Sequence, residues 1–254
     1  MNIIQTLNES LLKQPFAEGK NDNIALESCR QIAYMYSKIE NSIAVLSDLK
    51  SNHSDIFYGR ISNKLFQIEK PLHEHISSIW EDGIFNNIHP DDLINKHLLE
   101  LKFTQLLKSL PIEKRSDYQI TSIIRMKDNT GQYKHVHHRM FYVQNCPLGN
   151  LWLALCLYNL SHEKFVPEFP NGMIIDSFTG EVINPGNGQI DSILSKREVE
   201  ILKLIERGNR SEDISQALCI SKNTVSRHRQ NILSKLRVKN SLEACRIAKL
   251  MGII

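Results

Sequence analysis

No apolar run in the 254-residue chain approaches the ~20 residues that a membrane-spanning helix needs. The longest, LGNLWLALCLYNL at 148–160, is too short and reads as a buried strand. The first residues, MNIIQTLNESLLKQ, lack the basic start and small-residue cleavage site of a secretion signal. A cytoplasmic location with no membrane partner is therefore expected. The five cysteines (Cys29, Cys146, Cys156, Cys219 and Cys245) are odd in number and include no CxxC pair. Reduced thiols are expected, not a disulfide framework or a zinc knot. A phosphate-cradling glycine loop, a nucleophile elbow and an HExxH helix are also missing. Nothing in the chain argues for an enzyme.

What is present is ordinary in bulk and uneven in charge. Hydrophobic residues make up 41% and charged residues 23%, as in a globular protein. From Asp191 onward there are 13 Lys+Arg against 7 Asp+Glu, whereas the preceding 190 residues hold 18 against 21. The basic excess sits in the last quarter of the chain, an electrostatic footprint that suits a polyanion.

The pattern along the chain divides it into four parts. Residues 1–52 read as helix, with Ile24, Ala25, Cys29, Ile32, Met35, Tyr36, Ile39, Ile43, Leu46 and Leu49 recurring at spacings of three and four. Such a stripe packs on its own chain or pairs with a second copy, and the spacing leaves both open. Residues 53–161 mix strands and helix. DIFYGRIS (55–62) reads as a strand, followed by a break around Pro71. A helix capped by Asp91 or Asp92 runs to Pro111. The runs 118–127 and 133–144 flank the turn signal DNTG (128–131), and 150–161 supplies one more strand. Residues 162–190, rich in Pro and Gly, read as a linker with a small hairpin turning at Thr179–Gly180. Residues 191–254 read as four short helices, with Ser195, Arg210–Ser211 and Ser221 at the N-caps and Gly208 as a stop. The fold class is α+β in the first part and all-α in the last.

EDISQALCISKNTVSRHRQ has the form of two helices joined by a tight turn. Ile214, Ala217 and Leu218 form an inward face on the first helix, and Val225, Ile232 and Leu236 form one on the second. The opposite face of the second helix carries Asn223, Ser226, Arg227 and Gln230, long or polar enough to meet base edges in a major groove. Ser221, Lys222, Thr224, His228, Arg229 and Lys235 flank that face and suit phosphates, which fix register without reading sequence. A basic outer face is also what an ordinary solvated helix has, and the residues alone leave that reading open.

Over its whole length the stretch 194–254 resembles the LuxR-type (GerE-like) DNA-binding domain. The match rests on Leu194, Arg197, Glu198, Leu202, Gly208, Ile214, Leu218, Ser221, Thr224, Val225, His228, Ile232, Lys235, Leu236, Ala248 and Gly252. The resemblance implies a four-helix domain whose third helix enters the major groove of double-stranded DNA. Ser226, Arg227 and Gln230 would then read bases, and Lys222, Thr224, His228 and Lys235 would hold phosphates. It also implies paired half-sites and a homodimer, often formed through the last helix, here with Leu242, Cys245, Arg246 and Lys249 near its exposed side. RNA polymerase would be a further partner of such a regulator. Asp213 stands where the family usually has Glu.

The part before it lacks the strand–helix alternation of a phosphoacceptor receiver. WEDGIFNNIHPDDL (80–93) and IIRMKDNTGQYKHVHHRMFYV (123–143) resemble instead a PAS domain over roughly 55–161. That implies a curved five-stranded antiparallel sheet with short helices on one face, serving to sense a small molecule, to dimerise, or both. In HVHH (135–138), His135 and His137 share one strand face and His138 takes the other. No carboxylate or cysteine in that run completes a ligand set, so neither a metal nor a cofactor is expected. An unidentified small ligand stays open. The chain reads as a DNA-binding transcriptional regulator with a PAS-like sensory half. A constitutive dimeric DNA binder whose PAS-like half only dimerises or holds a protein partner is the alternative.

Overall fold

A computed structural model of the chain describes residues 3–65, 72–161, 172–183, 194–236, 238, 240–250 and 253–254. Residues 8–185 form one compact unit, and residues 186–254 with the first seven form another. Helices α1 (Ile3–Leu12) and α2 (Asp22–Ile39) lead into strands β1 (Ile43–Asp48) and β2 (His53–Tyr58). Then come α3 (Ser62–Leu65), β3 (His73–Ile76), α4 (Asp82–Phe85) and the long α5 (Pro90–Ser109). Strands β4 (Tyr118–Lys127), β5 (Tyr133–Asn145), β6 (Leu151–Leu160), β7 (Met173–Asp176) and β8 (Val182–Ile183) complete the first unit. All strands join one antiparallel sheet in the order β3-β2-β1-β6-β5-β4-β7-β8. Its central five strands, with helices inserted between β2 and β4, form a PAS-like sheet, but one of them, β1, lies before the span 53–161 in which the sequence reading placed that sheet. Three further short strands extend its two edges.

Two differences from the sequence reading concern the start of this unit. The helix ends at Ile39, and Ile43–Asp48 is a strand that pairs with both β2 and β6. Asn41, at φ 54°, turns the chain out of the helix, and the Ser42 amide donates back to the Ser37 carbonyl at 3.1 Å. With no Gly or Pro to mark that stop, the threefold spacing of Ile43, Leu46 and Leu49 imitates a continuing helix. The second difference is the direction of α2. Its buried residues are the small Cys29, Ala33 and Ser37, which lie four apart. Small side chains allow the helix to approach the sheet, where Ala44, Leu46, Phe57, Leu155 and Leu157 meet Cys29 and Ala33 in one core. Gly59 is where the chain passes closest, since a Cβ there would stand 2.4 Å from the Ser37 carbonyl oxygen.

The opposite sheet face takes α5. Cross-strand register puts Ser122, His138 and Tyr158 in one row and Ile120, Met140, Cys156 and Val45 in the next. Helix α5 opens at Pro90 with His89 as its cap, Nδ1 accepting from the Asp91 amide at 3.3 Å. Neither aspartate is the cap. Asp92 instead accepts three bonds from Arg125: from the backbone N–H at 2.7 Å, from Nε at 2.9 Å and from Nη2 at 2.6 Å. These tie the start of α5 to β4. The DNTG turn forms as its residues demand, with Asp128 Oδ1 accepting from the Thr130 and Gln132 amides, each at 2.9 Å, and Gly131 at φ 84°. The segment 173–183, read as linker with a hairpin, does form that hairpin, but its first strand is paired with β4. The break around Pro71 lies outside the described residues.

The second unit holds α6 (Lys196–Glu206), α7 (Ser211–Ala217), α8 (Lys222–Leu236) and α9 (Ser241–Leu250). Their core is Leu194, Ile201, Leu202, Ile214, Val225, Ile232, Leu236, Ala244 and Ala248. The inward stripe of α8 is thus as the spacing had it, whereas Ala217 is exposed and takes no part in the core. Helix α6 starts with a reciprocal capping box: Ser195 N donates to Glu198 Oε2 at 2.7 Å, and Glu198 N donates to Ser195 Oγ at 3.3 Å. Between α7 and α8, Cys219 adopts φ 50°, a conformation that strains a non-glycine residue by roughly 1–2 kcal/mol. Ile220 N donates to Ser215 O at 3.0 Å and closes the turn. Cys219 is exposed, so Cys219→Gly should raise the unit's stability by about 0.5–1 kcal/mol, read as a later urea midpoint. An unchanged or earlier midpoint would mean that the turn carries no such strain.

Candidate nucleic-acid interface

Helix α8 separates its faces cleanly. Val225, Ile232 and Leu236 are buried, and Asn223, Ser226, Arg227 and Gln230 are all exposed on the outer side. Ser221 Oγ accepts from the Thr224 amide at 3.1 Å and pairs with the Thr224 hydroxyl at 2.8 Å, so it caps the helix start. Lys222 is exposed and paired with Glu212 of α7. His228 is half-buried, and its Nδ1 is enclosed without a partner among the described residues.

Two of the residues read as phosphate contacts are committed elsewhere. Lys235 Nζ lies 2.7 Å from Glu198 Oε2, whose side chain is only 3% exposed. Burial opposes the Glu198 charge, but the Lys235 ammonium and the Ser195 donors outweigh it and hold the carboxyl below its ordinary pKa. Arg229 donates to Ser211 Oγ at 2.9 Å and to Ser241 Oγ at 3.1 Å, so it braces α7 and α9 against α8. Both cations are structural here because their stems leave the helix toward the neighbouring helices. Arg197 was in the resembling set without a role. Its guanidinium donates to Leu218 O at 2.7 Å and to Glu200 at 2.8 Å, bracing α6 against the end of α7. Nothing in its spacing signals that bond.

The last helix differs from expectation at one position. Cys245 is buried, with its Sγ 3.9 Å from Leu202 O, so it is not on the exposed side. Leu242 is 83% exposed, Arg246 is exposed, and Lys249 lies 2.7 Å from Glu206.

The C-terminal residues 192–248 match the family model described as bacterial regulatory proteins, luxR family. This unit is a LuxR-type DNA-binding domain. Over 63 residues the chain is 41% identical to the uncharacterized response regulatory protein YgeK of Escherichia coli K12, covering 25% of this chain and 43% of that protein. Over 80 residues it is 38% identical to the oxygen regulatory protein NreC of Staphylococcus epidermidis, covering 32% and 36%. The chain therefore spans less than half the length of these relatives, and both are regulators rather than enzymes by name. Among solved structures, a phage VqmA–DPO complex covers 92% of this chain and 90% of its own at 14% identity and a TM-score of 0.29. Escherichia coli SdiA covers 99% and 97% at 13% identity and a TM-score of 0.28. At these scores the likeness carries no argument about how the chain is arranged.

The first unit has a charged interior that the sequence reading missed. Lys96 and Glu100, one turn apart on α5, are buried, with Nζ 3.4 Å from Oε2 and the ammonium 4.8 Å from the centre of the Phe85 ring. Burial works against the Lys96 charge, but Glu100 and Glu81 outweigh it and lift its pKa above the ordinary value. Around this group lie Glu81, Tyr142 and Cys156, with Thr104 Oγ1 3.1 Å from the Tyr142 hydroxyl. The space they leave is about 10 Å³, room for about one water molecule. His138 faces this side of the sheet, as the alternation of HVHH requires, and its ring lies 5.0 Å from that of Tyr158. Burial holds His138 far below the ordinary histidine pKa. No group of three or more His, Cys, Asp and Glu among the described residues is placed to hold a metal.

Proposed function

We propose that this chain is a sequence-specific DNA-binding transcriptional regulator that acts as a dimer. One observation carries the reading: α8 exposes Asn223, Ser226, Arg227 and Gln230 on one face while its opposite stripe is buried. That face would enter a major groove and read base edges. Ser221, Lys222, Thr224 and His228 at the helix start and flank would hold phosphates, and two copies would occupy half-sites ~34 Å apart. The first unit would set whether both recognition helices can engage at once, and RNA polymerase would be met at the bound promoter.

The test is duplex binding by fluorescence anisotropy on a site selected from random sequence. Arg227→Ala should cost ~1–3 kcal/mol, relax discrimination at one base position and leave the salt slope almost unchanged. Lys222→Ala should weaken all sequences alike and reduce the slope by about one. If Arg227→Ala binds duplex as the parent does, α8 is a surface for an acidic protein partner and the proposal fails.

A second reading has its own support. Beside Lys96 and Glu100 the sheet unit leaves only about 10 Å³, so no organic ligand fits at that place, and this supports a first unit that dimerises constitutively. A thermal shift on adding candidate small molecules would decide for sensing, and none across a broad set would decide for the constitutive dimer.

A further inference from the structure

Helix α2 is apolar on two sides, and only one of them is used by its own unit. Cys29, Ala33 and Ser37 face the sheet. Ile24, Ile32, Met35 and Ile39 face away and are 68%, 49%, 49% and 75% exposed, with Tyr36 beside them at 38%. Outside α2, the other large exposed apolar side chains of this unit, such as Leu72, Ile112, Leu148 and Phe178, are well separated along the chain. The α2 residues instead form one stripe of just over four turns, and a continuous apolar patch marks an interaction surface where scattered residues do not.

We infer that this stripe is a self-association surface on which α2 of a second copy of this chain packs. Three features favour a second copy over any other occupant. Ile24, Ser28, Ile32, Met35 and Ile39, all exposed, follow one another at steps of four, four, three and four, the spacing of a helix seam that packs against a helix like itself. The sheet already holds α2 in its helical form, so pairing carries no cost of folding a short helix, which would be marginal alone. Ile24, Ile32, Met35, Tyr36 and Ile39 together expose on the order of 600 Å², so two-fold pairing that covered them fully would remove at most about 1,200 Å² from water, the lower end of the stable range. Exposed Glu27, Gln31 and Lys38 flank the stripe and supply the polar rim such an interface has.

This interface does not depend on the DNA reading. Nor does it use the last helix, where Leu242 is a large apolar side chain left exposed. The test uses the full chain without DNA, in sedimentation equilibrium at micromolar concentration. The parent should be a dimer, and the double variant Ile32→Asp with Ile39→Asp should dissociate at least 100-fold more readily. Leu242→Asp should leave the dimer intact. Both α2 positions are exposed, so circular dichroism and the thermal midpoint of the double variant should match the parent's. If the double variant misfolds, cross-linking decides. Ile32→Cys in a Cys219→Ser background should link two chains through a short bismaleimide, because packed helix axes lie ~8–10 Å apart. Phe178→Cys in the same background should not. A monomeric parent, a double variant as dimeric as the parent, or an Ile32→Cys chain that fails to link would each overturn the inference.

Discussion

Glu100→Ala should destabilise the sheet unit by about 3–5 kcal/mol, whereas Lys96→Met combined with Glu100→Leu should cost little or nothing. The two side chains are 3% and 8% exposed, and Lys96 Nζ lies 3.4 Å from Glu100 Oε2. Removing the carboxylate alone leaves an ammonium buried against Phe85 and short of one of its two anions. Removing both members takes away the desolvation cost together with the attraction, and the two terms nearly cancel in buried pairs. Glu81 then loses its cation, but it can remain protonated and so avoid a buried charge. Urea unfolding at pH 7 distinguishes the outcomes. If the double variant is as unstable as Glu100→Ala, the pair contributes by its attraction, and the cancellation argued here does not hold.

The same pair shows where the sequence stops being readable. Lys96 and Glu100 stand four apart on a helix, and that spacing describes a solvated surface pair at least as well as a buried one. Burial is decided by neighbours distant in the chain: α4 on one side, and the Tyr142 and Cys156 positions of the sheet on the other. Helix α2 misleads for a related reason. Most of its larger apolar residues mark the free face, because the sheet approaches closely enough that its fully buried positions are the small Cys29, Ala33 and Ser37. Local signals fared better. Strands β4 and β5 begin and end within a residue of the runs that flank DNTG, since Asp, Thr and Gly impose that turn whatever surrounds it. In the second unit the stripe of α8 was legible because short helices bury a single face. Lys235 and Arg229 were not, because a long cationic side chain reaches a phosphate or an internal acceptor equally well, and spacing does not say which.

Glu81→Gln should remove the pH dependence that this interior gives the sheet unit. The Glu81 side chain is buried, and burial pushes its pKa from 4.5 up to about 7, with Lys96 pulling the other way. Below pH 4.5 the carboxyl is protonated in folded and unfolded chains alike and contributes no slope. Between 4.5 and about 7 the unfolded chain releases the proton and the folded one retains it, so stability falls as pH rises. Above about 7 the folded form ionises too, and the accumulated loss levels off at about 3 kcal/mol. The other groups facing it do not share this window. Lys96 remains charged above it, Cys156 and Tyr158 are raised away from it, and His97 and His138 are held neutral, His97 at about 3. Glu100 and Asp82 are the remaining carboxylates beside it. The stability of Glu81→Gln relative to the parent should therefore climb by about 3 kcal/mol from pH 4.5 to 7.5 in urea unfolding, and be constant beyond. A difference that stays flat across that range would place the Glu81 proton outside it.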